Sequence, residues 1–345
     1  MPNRSDAALA APEPRDARAW ALALNSYRDP QVHRGIFEIV ATVLPLAALW
    51  TFMWLTLDTG YWATLLLAIP TAGFLVRMFM IQHDCSHGAF FRNKWANDWI
   101  GRIFGVFTLT PFTFWRRTHA LHHASSGNLD RRGIGDITTL TVAEYESRSP
   151  LGRFFYRLYR NPLVLFVVGP AYLFLVQHRL PVGLMRKGWR PWASTMGTNA
   201  TIAGIVVLLV WLIGYKAFLA IFLPVVLLAA SLGVWLFFVQ HQFERTSWDR
   251  EDHWTWHEAA LRGSSYYDLP AILRWFTANI GIHHVHHLSS RIPFYRLQQV
   301  LRDFPELKNV SRINLVESLR CIRLGLWDET QRRLVSFREA RRAKG

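Results

Sequence analysis

The sequence predicts an all-α integral membrane protein, with four transmembrane helices in two hairpins, interfacial helices and a cytosolic histidine-rich cap. Three observations predict this class. Hydrophobic residues make up 51% of the 345 positions, they gather in long runs, and most of the 14 histidines stand in short clusters beside those runs. Long apolar runs are typical of membrane spans.

The charge and the cysteines narrow the class further. A formal charge of +15 would suggest a nucleic-acid partner in a soluble protein. Here the basic residues flank the apolar runs, so cytoplasmic retention and anionic lipid headgroups explain them, and no nucleic-acid partner is expected. Cys85 and Cys321 are too few for a disulfide framework, which predicts a reducing compartment.

The chain divides into three predicted parts. Residues 1–35 form a cytosolic N-terminal tail, because residues 1–30 carry arginines but no apolar core of the signal-peptide type. We expect a short interfacial helix at 17–24. Residues 36–310 form the membrane domain, and residues 311–345 a basic helical tail in which 315–340 is an amphipathic helix.

Four apolar runs predict the spans: 36–57, 61–82, 195–213 and 217–240. The first two contain about 22 residues each, or roughly 33 Å of helix, enough to cross a bilayer core. Residues 58–60 and 214–216 are tight turns, so the runs pair as two hairpins. Arg77 lies inside the second run; near a helix end it can extend to the interface, but deeper it requires a partner.

Two shorter runs, 99–115 and 162–177, are interrupted by glycine and proline. We expect the first to be interfacial or re-entrant. Arginines and a lysine stand on both sides of the second, so both of its ends are predicted to be cytoplasmic and it does not cross. The protein is therefore a multi-pass membrane protein, expected in a bacterial cytoplasmic membrane, and the hairpin turns face the far side.

Histidine clusters lie at the cytoplasmic ends of these spans or on the segments between them. The two histidines of the first cluster are spaced i, i+4. The second and third clusters share the spacing i, i+3, i+4, and both spacings put imidazoles on one helix face. A ninth histidine ends the fourth span. The set is His83, His87, His119, His122, His123, His241, His283, His286 and His287. Imidazole suits iron, zinc, copper and nickel, and nine imidazoles exceed the needs of one ion, so the set predicts two metals.

Carboxylates near the clusters are candidates to support the histidines and offset the metal charge. We select Asp84 and Asp130; the alternative for each is a solvated loop charge. Their neighbours in the same class are Asp136, Glu244 and Asp268. His284 falls off the ligand face, and Cys85 is spaced to point away from His83 and His87. Four histidines lack cluster partners and are not selected: His33, His178, His253 and His257.

The motifs HDCSH, HALHH and HHVHH, with QHQFE before the last, resemble the three histidine boxes and additional histidine of the membrane fatty acid desaturases. The stretch 122–133 resembles bacterial acyl-lipid desaturases of the Δ12 (omega-6) type, and the likeness covers about 36–310. It implies a non-haem centre of two iron ions, O2 as co-substrate, a membrane lipid or acyl substrate in an apolar tunnel, a cis double bond as product, and the nine histidines as ligands. Asn279 is then a candidate to hold a metal-bound water; its alternative role is helix packing.

Electrons must reach such a centre from another protein. The sequence contains no dinucleotide-binding glycine fingerprint, no cysteine set for an iron–sulfur cluster and no fused haem module. We therefore expect a separate ferredoxin or cytochrome-type donor with its reductase. The arginines of the basic tail suit an acidic donor or, equally, lipid headgroups.

Three rival functions stay open from the sequence. A related di-iron hydroxylase, acetylenase, ketolase or monooxygenase would use the same histidine boxes. A zinc-dependent membrane hydrolase would usually carry an HExxH helix, which this sequence lacks. A metal transporter would line a path across the bilayer with histidines, whereas these clusters are predicted on one side.

Overall fold

The computed structural model describes residues 17–133 and 135–342, and over these ranges it is mainly helical. Residues 1–16 of the predicted N-terminal tail and residues 343–345 of the predicted basic tail lie outside the described residues, as does Ile134. The helices up to the second apolar hairpin are α1 (Ala17–Ala23), α2 (Val32–Leu55), α3 (Tyr61–Ser86), α4 (Lys94–Phe107), α5 (Phe112–Ser125), α6 (Val142–Ser147), α7 (Pro150–Tyr159), α8 (Gly169–Leu175), α9 (Trp189–Ile213) and α10 (Tyr215–His241).

The remaining helices are shorter and belong to the cap over the histidines. They are α11 (Trp256–Arg262), α12 (Ala271–Phe276), α13 (His283–Leu288), α14 (Phe294–Asp303), α15 (Leu315–Cys321) and α16 (Phe337–Arg342). Single 3-10 turns occupy Asn25–Arg28, Gln177–Arg179 and Pro305–Asn309. The strands are β1 (Leu140–Thr141), β2 (Tyr266–Asp268), β3 (Arg312–Asn314), β4 (Leu324–Asp328) and β5 (Arg333–Ser336).

The four longest described helices, α2, α3, α9 and α10, contain 24 to 27 residues and are apolar enough to cross a membrane. At 1.5 Å per residue each measures about 36–41 Å, more than a hydrocarbon core needs. The four predicted spans and their pairing as hairpins are therefore confirmed. The turns contain Gly60 and Gly214, which adopt φ values of 148° and 81° that other residues avoid. The side of the membrane that each turn faces stays a prediction.

Of the two shorter apolar runs, the first is broken next to Pro111, whereas the second stays helical through Gly169 and Pro170, where a break was predicted. The first is divided between α4 and α5, which are joined by a short turn at residues 108–111. Gln82 holds this turn, because its amide donates to the Thr110 carbonyl at 3.2 Å and accepts from the Thr108 hydroxyl at 2.5 Å. The second run contains a π-helical segment, Val164–Val168, and meets α7 at a bend of 57°. Its failure to cross stays a prediction.

Arg77 is buried within α3, and it has the partner that the sequence analysis predicted for a buried arginine. Its side chain is 2% exposed and forms an ion pair with Glu38 of α2, which is 1% exposed. The guanidinium also donates to the Trp275 carbonyl and lies 4.0 Å from the centre of the Trp275 ring. The pair therefore ties the first hairpin to α12.

The cap contains two small sheets that the sequence analysis did not predict. Strands β1 and β4 pair in parallel and β4 pairs with β5 antiparallel, while β2 and β3 form a separate parallel pair. The prediction of one amphipathic helix at 315–340 is wrong: this segment folds as α15, the β4–β5 hairpin and α16. The Asp328 carboxylate accepts from the Thr330 and Gln331 amides at 2.9 and 3.0 Å, which creates the turn, and Leu326 and Val335 pair across the hairpin in the buried interior.

Candidate metal centre

Four helices bring the predicted histidines together. The first cluster stands at the carboxyl end of α3, the second on the last two turns of α5, and the third on α13. His241 is the last residue of α10. Helices α3 and α10 therefore both end at the histidines, and the hairpin turns lie at their opposite ends. This placement agrees with the predicted gathering of all nine at one membrane surface.

The nine side chains form two groups, in each of which one ring nitrogen per residue lies within 4.8 Å of all the others. Group one contains His83, His87, His119, His123 and His286. Group two contains His122, His241, His283 and His287. The second and third clusters each supply both groups, because the residues at i and i+4 go to one group and the residue at i+3 to the other. Sequence reasoning did not predict this division.

The spacing of the nitrogens fits metal binding. In group one the Nε2 atom of His119 lies 3.1 Å from those of both His87 and His123. In group two the Nε2 atom of His241 lies 3.1 Å from that of His122 and 3.0 Å from that of His283. Two nitrogen ligands at right angles around an ion at about 2.1 Å stand about 3.0 Å apart. The convergence of nitrogen lone pairs in each group is therefore compatible with metal binding.

The protonation of the groups favours the same chemistry. Six of the candidate ligands lie outside the spans and have a pKa well below the usual value for histidine. The main cause is their removal from water, and repulsion between neighbouring imidazoles lowers the pKa further. These residues are His87, His119, His123, His283, His286 and His287. They are therefore neutral at neutral pH, which is the form that binds metals.

Hydrogen bonds to the second ring nitrogen orient three of the histidines. The Nδ1 atom of His122 lies 2.6 Å from Oδ1 of Asp136, and that of His241 lies 3.1 Å from the Gly263 carbonyl. The Nδ1 atom of His83 lies 3.3 Å from Oδ1 of Asp84. Such contacts fix the proton on Nδ1 and leave Nε2 free for a metal.

Asp84 also joins two parts of the site. Its second oxygen accepts a hydrogen bond of 2.7 Å from the Phe294 amide at the start of α14. The carboxylate selected from the sequence therefore connects the first histidine cluster with the segment that follows the third.

The prediction that Asp130 supports a ligand histidine is wrong. Its carboxylate is exposed and binds the Arg250 guanidinium and the Glu251 amide, both at 2.9 Å. The Asn128 side chain accepts from the Asp130 amide at 2.9 Å, so this turn directs Asp130 outward. Asp136, which the sequence placed only among nearby carboxylates, makes the histidine contact instead. For Asp130 the alternative role, a solvated loop charge, is therefore correct.

His284 lies outside both histidine groups. The Asn279 side-chain amide donates to the Phe294 carbonyl at 3.1 Å and so makes a packing contact. The Asn279 backbone has a φ of 56°. The role of Asn279 in holding water stays a prediction. Nε2 of His284 lies 2.9 Å from the Leu307 carbonyl, which agrees with its predicted place off the ligand face. Cys85 is buried, carries a free thiol and belongs to neither group.

Ser265 is a positioning residue that the sequence analysis missed. Its amide donates to the Gln240 carbonyl at 2.9 Å, and its own carbonyl accepts from the His283 amide at 3.2 Å. One buried residue thus joins the end of α10 to the start of α13. Gly281 allows the segment before α13 to pack closely against β2, because a Cβ at this position would stand 2.4 Å from the Tyr267 carbonyl oxygen. No sequence motif marks Ser265.

A cavity of about 680 Å³ opens beside the histidines. His83 and His119 of group one and His283 of group two form part of its wall. Most of the remaining wall consists of apolar side chains from α3, α5, α8 and α10. The volume lies within the range of small-molecule pockets, about 300–1,000 Å³, and an apolar molecule in this cavity would lie beside histidines of both groups.

Comparison with known proteins identifies the family. A family model described as fatty acid desaturase matches residues 59–312. This chain belongs to the fatty acid desaturase family. The desaturase is 42% identical over 313 residues to a fatty acid desaturase of Bacillus subtilis (strain 168), covering 91% of this chain and 88% of that protein. The family resemblance predicted from the histidine boxes is confirmed.

More distant relatives carry more specific names. The desaturase is 27% identical to an sn-1 acyl-lipid omega-3 desaturase (ferredoxin) of Nostoc sp. (strain 36), over 76% of this chain and 69% of that protein. It is 26% identical to an sn-1 oleoyl-lipid 12-desaturase of Anabaena variabilis, over 69% and 70%. The chain is therefore an enzyme of the desaturase class, and the zinc hydrolase and metal transporter lose their support.

Proposed function

We propose that this desaturase uses O2 to introduce a cis double bond into a fatty acyl chain at a centre of two iron ions. The observation that carries the proposal is the convergence of nine buried or half-buried imidazoles as two groups at the wall of one apolar cavity. Each turnover converts one CH2–CH2 pair and one O2, with two electrons and two protons, into one CH=CH and two waters.

The histidines of group one would hold one iron ion and those of group two the other. When bound, the two ions supply the redox chemistry by which O2 takes up hydrogen from an unactivated chain. The protein's part is to fix the ligands and to shape the cavity. Asp136, Asp84 and the Gly263 carbonyl orient His122, His83 and His241 respectively. The apolar wall binds the chain and excludes water from its reacting carbons.

We propose an acyl lipid as the substrate and the Δ12 (omega-6) position as the site of the double bond. The names of the relatives from Nostoc and Anabaena support an acyl-lipid substrate. The name of the Anabaena relative supports position 12. An acyl-lipid substrate suits a cavity that lies between two apolar helices, α3 and α10, because a chain still attached to its headgroup enters from the membrane.

A separate ferredoxin-type donor with its reductase is proposed to supply the electrons. The Nostoc relative is named with ferredoxin, and the cap carries exposed arginines on α16: Arg338, Arg341 and Arg342. By contrast, α15 exposes Leu315, Val316 and Leu319 beside its arginine, which favours contact with lipid. We therefore propose α16 as part of the donor surface, with the histidines on the cytoplasmic side of the membrane.

Expression in a host that lacks polyunsaturated lipids tests the reaction. Mass spectrometry of the lipids should show the loss of two hydrogens, and fragmentation of a derivative should locate the new double bond. Gain of an oxygen atom would instead identify a hydroxylase or another monooxygenase. No modified lipid in cells that contain the iron-loaded protein and its donor would contradict the proposed function.

A further inference from the structure

The cavity follows α3 and α10 away from the histidines. Both helices run towards the histidine end, and the lining residues of α3 extend from Leu75 to His83. Those of α10 extend from Val226 to Gln240. At 1.5 Å per residue these stretches measure about 12 Å and about 21 Å. The cavity therefore continues along α10 beyond the depth at which α3 stops lining it.

Gly233 lies on this wall, eight residues before His241 and hence about 12 Å from it along the helix. A Cβ atom built on Gly233 would meet no described heavy atom within 4 Å. Gly73 of α3 differs, because a Cβ there would stand 2.9 Å from the Phe276 ring. Close packing explains Gly73 but not Gly233, which instead lines the cavity with no described atom near its Cβ position.

The residues beyond Gly233 form the far part of the cavity wall on α10: Val226, Ala229 and Ala230. With Gly233 they follow the spacing i, i+3, i+4, i+7, which is one helix face. A side chain at position 233 would project into the cavity between these residues and the histidine end. It would therefore shorten the space available to a chain that passes the histidines.

We propose that Gly233 determines how far an acyl chain extends beyond the metal centre, and so helps to set chain-length preference and double-bond position. This inference rests on the proposed desaturation of a chain in the cavity. A polar headgroup remains near the membrane surface because its burial among apolar side chains is costly. The methyl end then occupies the far part, and a larger residue at 233 holds the chain back, which brings carbons nearer the methyl end to the histidines.

The test compares Gly233→Ala and Gly233→Leu with the wild type and with Gly204→Leu. Gly204 of α9 is a matched control, because it also lies in a span with no described atom within 4 Å of a Cβ, but it is exposed and does not line the cavity. Lipids from the expressing host give the bond position and chain length. Iron content of the purified variants shows whether the centre is intact.

Gly233→Leu should move the double bond by one or more carbons towards the methyl end, or reduce turnover of the longest chains about tenfold or more relative to shorter ones. One methylene in an apolar pocket is worth about 10–200-fold in discrimination. Gly233→Ala should shift the profile less, and Gly204→Leu should match the wild type. Iron-loaded Gly233→Leu that gives the wild-type bond position and chain lengths would overturn the inference, as would an equal shift in Gly204→Leu.

A binding measurement separates this inference from the proposed reaction. Saturated fatty acids of increasing length compete with a fluorescent fatty acid for the detergent-purified proteins. Gly233→Leu should weaken the longest acids about tenfold relative to the shortest. A wild type that forms no double bond refutes the reaction, whereas wild-type length dependence in folded Gly233→Leu refutes the role of Gly233. If the Leu variant does not fold, the Ala variant must show the smaller shift in the same direction.

Discussion

Replacing Asp136 with asparagine should weaken metal binding at group two about 10–100-fold, which corresponds to about 1.4–2.7 kcal/mol. The carboxylate lies 2.6 Å from Nδ1 of His122, and its side chain is only 7% exposed, so water screens the contact little. Nε2 of the same ring lies 3.1 Å from Nε2 of His241. Loss of the charged acceptor frees the ring to rotate or to move its proton to the nitrogen that binds metal.

The assay is a titration of bound iron with a competing chelator on purified protein, followed by measurement of double-bond formation. Asp130→Asn is the matched control. It removes a carboxylate from the same loop region, but this carboxylate binds Arg250 rather than a histidine. Asp136→Asn should release iron at lower chelator concentration, and Asp130→Asn should match the wild type. Equal iron retention by all three proteins, or equal loss in both variants, would refute the reasoning.

Three other perturbations have defined outcomes. His286→Ala removes one imidazole from group one and should abolish double-bond formation while the protein stays in the membrane; retained activity in iron-depleted variant protein would contradict the metal role. Glu38→Gln should lower the free energy of unfolding in detergent by about 3–5 kcal/mol, because it leaves Arg77 buried without its anion, and Glu38→Gln with Arg77→Met should recover most of that loss. Arg338→Glu with Arg341→Glu should slow reduction by ferredoxin but not membrane insertion; unchanged reduction rates, or equal slowing on charge reversal in α15, would exclude α16.

The membrane architecture was predictable because its signal is local. Each span is one continuous apolar run, and the helices differ from the predicted runs mainly by extra turns at their ends. The fourth span was predicted at 217–240 and is observed at Tyr215–His241. The third span begins at Trp189, six residues before the predicted start at 195. There the residues that precede the apolar run, including Arg190, continue the helix without adding to its hydropathy.

The histidines were predictable as a set but not as two groups. Helical spacing puts His119, His122 and His123 on one face, yet only the meeting of α3, α5, α10 and α13 sends His122 to one group and its neighbours to the other. The choice between Asp130 and Asp136 failed for a related reason. Both stand close to the second cluster in sequence, and the turn held by Asn128, which no periodicity reveals, directs Asp130 outward.

The C-terminal segment shows the limit of periodic patterns. The apolar and basic residues of 315–340 suit a helix face, but Asp328 binds the amides of Thr330 and Gln331 and reverses the chain. The resulting β4–β5 hairpin buries Trp327 and Leu334 against Trp248. Pairing with β1, which is more than 180 residues earlier, also favours strands here, and such a distant partner leaves no local trace.

The number and identity of metal ions per chain test the central claim most directly. Metal analysis of the purified wild-type protein, made in cells that form the double bond, should give two iron ions per chain. Removal of the iron should abolish the reaction, and reloading should restore it. One metal ion per chain, bound zinc in place of iron, or a double bond formed by iron-free protein would contradict the account.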